Sequence, residues 1–216
     1  MDTVYYLIQN MLPVGIPLLL VALGGMFSER SGVVNIALEG IMLFGAFFGA
    51  LFVYFVQRSG MNPQTILLLG MLVAAISGLI YSLLLSFAAV TMKANQVITG
   101  TSLNMLIPAV ILLFSKMFFN SDGITTNMNF YIREVPILGK IPIIGPMLFQ
   151  RTYLTVIIGF IFLAASIILL YKTKFGLRLM ACGEHPHAAD SVGINVYKMR
   201  YAGVSLSGIL GGIGGF

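Results

Sequence analysis

Charge is what this chain has least of. Asp, Glu, Lys and Arg together make up 9% of its 216 residues, where a soluble domain carries about a quarter. That shortage excludes a soluble globular enzyme. The 58% of apolar residues excludes a disordered chain, which needs low hydrophobicity and high charge. The chain holds one cysteine, Cys182, so neither an internal disulfide nor a cysteine-built zinc or iron–sulfur framework fits within it. It has no G-x-x-x-x-G-K-[ST] loop, no H-E-x-x-H, no G-x-S-x-G and no arginine-rich span. Those absences remove a P-loop ATPase, the usual zinc and serine hydrolases, and a voltage sensor. The net charge of +5 is not gathered into a basic stripe or helix, so nucleic acid is not an expected partner. The first apolar stretch lacks a basic n-region and a following small-residue cleavage site, and reads as a retained span rather than a signal peptide.

What is present is apolar sequence in membrane-sized pieces. A mean hydropathy of +0.98 and 24 Gly, 16 Phe and 13 Met suit packed membrane helices in a lipid bilayer. Apolar runs cover residues 11–27 (with Pro13 and Pro17), 33–56, 65–92, 97–115 and 153–171, and a sixth begins at Tyr201 and is cut off at Phe216. A longer polar region, 116–151, contains Pro136, Pro142 and Pro146. The expected fold is all-α: a polytopic transmembrane helix bundle with five complete spans, a truncated sixth and the N-terminus outside. Residues 1–216 read as a single transmembrane domain, the N-terminal fragment of a longer protein; a complete protein with a short last helix is the alternative. With the N-terminus outside, the inner loops carry Arg30, Lys93, Lys172, Lys174, Arg178, Lys198 and Arg200. The outer loops carry Arg58, Lys116, Arg133, Lys140 and Arg151. The basic loop 172–200 decides the orientation by the positive-inside tendency.

A charge inside a span is costly and normally faces protein or water. Glu39 is such a residue, with Asn35 four positions earlier on the same expected helical face. They either line a solute path or serve structure, with Glu39 capping a helix start or pairing with a neighbouring span. The run 95–104 is unusually polar, and Thr101, Asn104 and Pro108 share a face, with a kink expected at Pro108. These groups suit either an uncharged polar solute or hydrogen bonds between helices. Gly45 with Gly49 and Gly208 with Gly212 make small-xxx-small patterns, read as helix packing. Between residues 183 and 193, Pro186 suits a helix start and Gly193 a helix end. A helix of about two turns is not stable alone, so it must dock on its own bundle or on a partner. His185 and His187 fall on different faces with no third ligand, so no metal site is expected.

Three blocks, in order, resemble the bacterial ABC importer permeases for nucleosides and simple sugars. They are residues 27–42 (FSERSGVVNIALEGIM), residues 95–100 (NQVITG) with Asn104, and the stretch from Thr173 to Arg178, Cys182-Gly183-Glu184, Ala188-Ala189 and Gly193-Ile194. The nucleoside-type branch is the most similar, on Ser28-Glu29-Arg30-Ser31-Gly32. The resemblance implies a cytoplasmic coupling loop at 172–200, with Gly183, Glu184, Ala188, Ala189, Asp190 and Gly193 docking on an ATP-binding subunit. It also implies a second, related permease, an extracytoplasmic solute-binding protein and a place in the bacterial plasma membrane. No cofactor is expected on this chain, with ATP and Mg held by the partner ATPase. Asn35, Glu39, Thr101 and Asn104 are the candidates for the solute path. Family members are longer and continue through further spans. The competing readings are an ion-coupled secondary transporter using Glu39 and an intramembrane enzyme, the latter without a paired acid, a metal cluster or a nucleophile constellation.

Overall fold

A computed structural model describes residues 2–121, 123–126, 128–134 and 150–216. Helix α1 runs Asp2–Arg30, α2 Leu38–Val56, α3 Pro63–Ser86, α4 Gln96–Phe119, α5 Leu154–Lys172, α6 Lys174–Glu184, α7 Pro186–Ser191 and α8 Val196–Gly215. A π-helical turn, Phe87–Thr91, continues α3. Five helical stretches among the described residues are long and apolar enough to cross a membrane: Gln9–Arg30, Leu38–Val56, Pro63–Thr91, Gln96–Phe119 and Leu154–Lys172. Two short strands, β1 (Tyr131–Glu134) and β2 (Gln150–Tyr153), pair antiparallel, with Tyr131 opposite Tyr153. This ribbon lies in the polar region, where the spacing suggested no strand. Pro136, Pro142, Pro146 and Lys140 lie outside the described residues.

Local chemistry sets several of the ends. Asn62 accepts a hydrogen bond from the Gln64 N–H (3.0 Å) and Pro63 takes the first position of α3. Asn95 accepts from the Val97 and Ile98 N–H groups at 2.9 and 3.3 Å, opening α4. Thr173 caps α6 through the Gly176 N–H (3.2 Å), and Asn195 caps α8 through the Lys198 N–H (2.9 Å). Each side chain satisfies donors that a helix start leaves free. Asn120, in the left-handed region at φ 50°, ends α4. Helix α4 is continuous through Pro108.

The main correction concerns the second apolar run. Residues 33–37 are not helical, and α2 begins only at Leu38. The block Ser28-Glu29-Arg30-Ser31-Gly32 is the reason: it is a helix stop. The N–H groups of Ser31 and Val33 bond to the Ser28 carbonyl, the Gly32 N–H bonds to that of Glu29, and Gly32 takes φ 84°, open to glycine. Both serine hydroxyls donate locally, Ser28 to the Val33 carbonyl and Ser31 to the Ser28 carbonyl, each at 2.6 Å.

Helix α8 is the axis of the bundle and packs against α1, α2 and α3. Small residues let backbones meet there. A Cβ on Gly45 of α2 would sit 2.5 Å from the Gly212 carbonyl oxygen, and one on Gly212 would strike the Ala74 carbonyl of α3. A Cβ on Gly49 would strike the Phe216 ring, and one on Gly208 the Ser82 hydroxyl. The apolar core divides into two clusters. One joins Phe27, Leu20, Met71, Val156, Leu179 and Leu210. The other joins Val33, Ile41, Tyr81, Leu85, Ile107 and Val204.

Candidate functional site

Two structures meet at the end of the bundle that carries Arg30: the interrupted strand of chain between α1 and α2, and the excursion α6–α7. In the first, residues 33–37 leave the helical ladder, and side chains of α4 supply partners for the Val34 N–H and the Ile36 carbonyl. The Gln96 side-chain oxygen accepts from the Val34 N–H at 2.8 Å. Asn104 makes a clamp: its NH2 donates to the Ile36 carbonyl and its oxygen accepts from the Gly40 N–H, both at 2.7 Å. Asn35 is buried and donates to the Ser207 hydroxyl of α8 at 2.8 Å. Its side-chain oxygen is buried without a hydrogen-bond partner among the described residues. The Tyr81 hydroxyl donates to the Leu103 carbonyl at 2.8 Å, holding α3 to α4.

The four candidates for a solute path therefore do not form one face. Asn35 precedes α2, so it shares no helical face with Glu39, a correction that follows from the stop at Gly32. Asn35 and Asn104 are committed to helix seams. Glu39 is exposed in the first turn of α2, where a carboxylate complements the positive helix end. Thr101 is exposed and turns its hydroxyl back to the Val97 and Ile98 carbonyls at 2.9 and 3.0 Å. Gln96, Ser207 and Tyr81 did not stand out as structural partners in the sequence. The polarity of the run beginning at Asn95 was the available signal for Gln96.

The short helix expected to start at Pro186 and end at Gly193 is present as α7, and a second helix, α6, precedes it. The break falls at His185, followed by Pro186 at the start of α7. Helix α6 was missed, although Phe175, Leu179 and Cys182 follow helical spacing behind the Thr173 cap. Leu179 and Cys182 are fully buried, which lays α6 across the base of the bundle. Helix α7 packs on α6 and α8. Its end is closed by Gly193, at φ 81°, with the Gly193 N–H on the Asp190 carbonyl (2.9 Å) and the Ile194 N–H on the Ala189 carbonyl (3.1 Å).

The residues named for docking divide by direction. Gly183 and Ala189 face their own bundle: a Cβ on Gly183 would lie 2.5 Å from the Arg30 carbonyl oxygen, and Ala189 is buried. Glu184, Ala188, Asp190 and Gly193 are exposed. Glu184 stands 4.0 Å from Arg30 in an exposed ion pair, which contributes little. Burial pushes the Cys182 thiol above its ordinary range, and the Arg200 guanidinium pulls it partly back. His185 and His187 are both exposed, and no group of three or more His, Cys, Asp or Glu residues comes together among the described residues.

Long apolar helices wrapped around a glycine-lined axis, with a short helical excursion at a basic end, define a multi-pass helical membrane protein. The chain belongs to the family of branched-chain amino acid transport system permease components, whose model matches residues 7–216. It is 45% identical over 203 residues to the guanosine ABC transporter permease protein NupQ of Bacillus subtilis, covering 92% of this chain and 62% of that protein. It is 41% identical over 217 residues to the nucleoside ABC transporter permease protein NupC of Lactococcus lactis, covering 99% of this chain and 67% of that protein. The chain thus spans about two thirds of the length of these relatives. No solved structure matches it.

Proposed function

We propose that this chain forms the membrane-spanning part of a permease subunit in an ATP-binding-cassette importer of the bacterial plasma membrane. The subunit moves a nucleoside or simple sugar by alternating access, driven by ATP hydrolysis on a partner chain. The observation that carries this reading is the family match across residues 7–216, joined to the α6–α7 excursion at the basic end of the bundle. The names of the two similar permeases favour a nucleoside as solute. ATP and Mg belong to the partner.

In this reading the basic end faces the cytoplasm, and α7 docks on the ATP-binding subunit. Ala188, Asp190, Glu184 and Gly193 make the outward surface. Gly183 and Ala189 make the rigid back that transmits motion into α1 and α8. A second, related permease and an extracytoplasmic solute-binding protein complete the assembly. Of the solute-path candidates, Glu39 and Thr101 remain open to a solute, while Asn35 and Asn104 hold the path's wall in place.

The test is uptake of labelled guanosine, inosine and ribose in cells with and without the intact gene, beside a strain whose partner ATPase is inactive. Nucleoside uptake lost in both strains is the expected result. Loss of ribose uptake alone moves the solute to a sugar. Gene-dependent uptake that survives the inactive ATPase overturns the ATP-driven reading and favours an ion-coupled transporter.

A further inference from the structure

We propose that a cavity between the end of α3, the start of α4 and the start of α8 binds the phosphate of an anionic phospholipid headgroup. The cavity has a volume of about 300 Å3 and is lined by Lys93, Gln96, Tyr197 and Arg200 beside the buried Ala89 and Val90. Two of its described lining residues are cations and none is an acid. Its polar groups form a set of donors. Gln96 has its oxygen committed to the Val34 N–H, which leaves its NH2 for an acceptor. The Arg200 guanidinium packs beside Gly32, where a Cβ would lie 3.6 Å from its Nε, and that Nε is buried without a hydrogen-bond partner among the described residues. An orphaned, buried, permanently charged donor calls for an acceptor.

The backbone adds a second observation. Lys93 sits in the left-handed region at φ 53°, a conformation costly for a side chain with a Cβ and ordinarily given to glycine or asparagine. The turn that imposes it is closed by the Ala94 N–H on the Ala88 carbonyl at 3.0 Å. It places the lysine on the cavity wall. Strain of this kind is a pointer to function.

The surroundings favour a lipid over a free anion. Phe87, Met92, Val97 and Ile98, which flank these lining residues along the chain, are 54%, 65%, 53% and 65% exposed. The cavity therefore lies where an apolar helix surface meets the basic end of the bundle. A lipid phosphate can sit there while its acyl chains run along the apolar surface. Basic pockets between helices at this level suit anionic headgroups.

The experiment is native mass spectrometry of the intact, full-length permease with its partner ATPase, titrated separately with phosphatidylglycerol, phosphatidylcholine and inorganic phosphate. Lys93→Asn keeps a residue that tolerates the left-handed backbone and removes the charge. Arg200→Gln removes the orphaned donor, and Lys198→Gln removes an exposed charge of α8 outside the cavity. Binding of phosphatidylglycerol should fall about fivefold in Lys93→Asn and in Arg200→Gln, and stay within about twofold in Lys198→Gln. If Arg200→Gln does not fold, Lys93→Asn against Lys198→Gln decides alone. Equal losses in those two variants would overturn the site. Lys93-dependent binding of inorganic phosphate as strong as that of the lipid would replace the lipid with a free anion. Unchanged lipid binding with loss of the partner ATPase in Lys93→Asn would give the cavity to a carboxylate of that partner.

Discussion

The contact around α8 and the α6–α7 excursion solve opposite problems with the same small residues. Around α8, glycine removes side chains so that backbones of neighbouring helices touch, and from Gly203 onward most of the helix is buried. In α7, small residues leave a short helix with one face packed and one bare: Ala189 is buried and its neighbour Ala188 is exposed. The first arrangement is closed and belongs to folding. The second leaves one face bare, which is the face proposed above to meet the ATP-binding subunit. A helix of six residues gains little from its own hydrogen bonds, so its packed face holds it and its bare face is available to a partner.

Substitutions that add volume should separate the two regions sharply, and the largest effect belongs to α8. Gly212→Leu drives a side chain into the Ala74 carbonyl, which cannot move aside as a flexible side chain would. Overpacking of this kind costs about 1–3 kcal/mol or more, and folded, monodisperse protein should be lost in size-exclusion profiles of detergent extracts. Gly15→Ala in α1, with nothing within 4 Å of an added Cβ, should stay within about 0.5 kcal/mol of wild type. Equal behaviour of the two would mean that the α8 contact is not close-packed.

Next in size is Asn104→Ala. It strands the part-buried Ile36 carbonyl and Gly40 N–H, for a loss of about 1–3 kcal/mol in all. Thermal unfolding in detergent should show the loss, and an unchanged midpoint would mean that the seam between α2 and α4 is held by something else.

Much of this architecture was readable in advance, for identifiable reasons. Membrane-length apolar runs carry a signal that needs no tertiary context, so five spans were legible. The break before α2 was not, because residues 33–37 are apolar and the stop lies in the hydrogen bonding of Ser28-Glu29-Arg30-Ser31-Gly32. That block was legible as a likeness and opaque as a cap. Glycine patterns identified Gly45 and Gly212 as packing residues without saying that they meet, since pairing between helices leaves no mark on either sequence alone. Helix α6 was hidden by the polarity of the loop around it. Within α7 the alanine pair was visible, and the opposite directions of Ala188 and Ala189 emerge only from packing.

The alanine pair offers a finer test. Ala189→Leu enlarges a buried side chain and should destabilise the protein by about 1–3 kcal/mol. Ala188→Leu should leave stability within about 0.5 kcal/mol of wild type, as read by the same unfolding assay. Equal destabilisation would erase the distinction between packed and bare faces.

The smallest effect concerns Cys182, on the packed side of α6. Burial raises its pKa above the ordinary 9.0, with Arg200 opposing. The folded protein therefore holds the thiol proton more tightly than the unfolded chain. The resulting stability is fully present at neutral pH, and is lost as pH rises from about 9 through the higher folded value. Stability measured from pH 8 upward should fall more steeply in wild type than in Cys182→Ala. Parallel curves would show that the thiol is not protected.

Ala188→Leu in the intact, full-length permease tests most directly the proposed role of α7 as the coupling surface. With its partner ATPase and solute-binding protein present, the variant should reach the membrane in wild-type amount yet lose solute-stimulated ATP hydrolysis and labelled guanosine uptake. Wild-type hydrolysis and uptake in that variant would contradict the assignment of α7 to the partner.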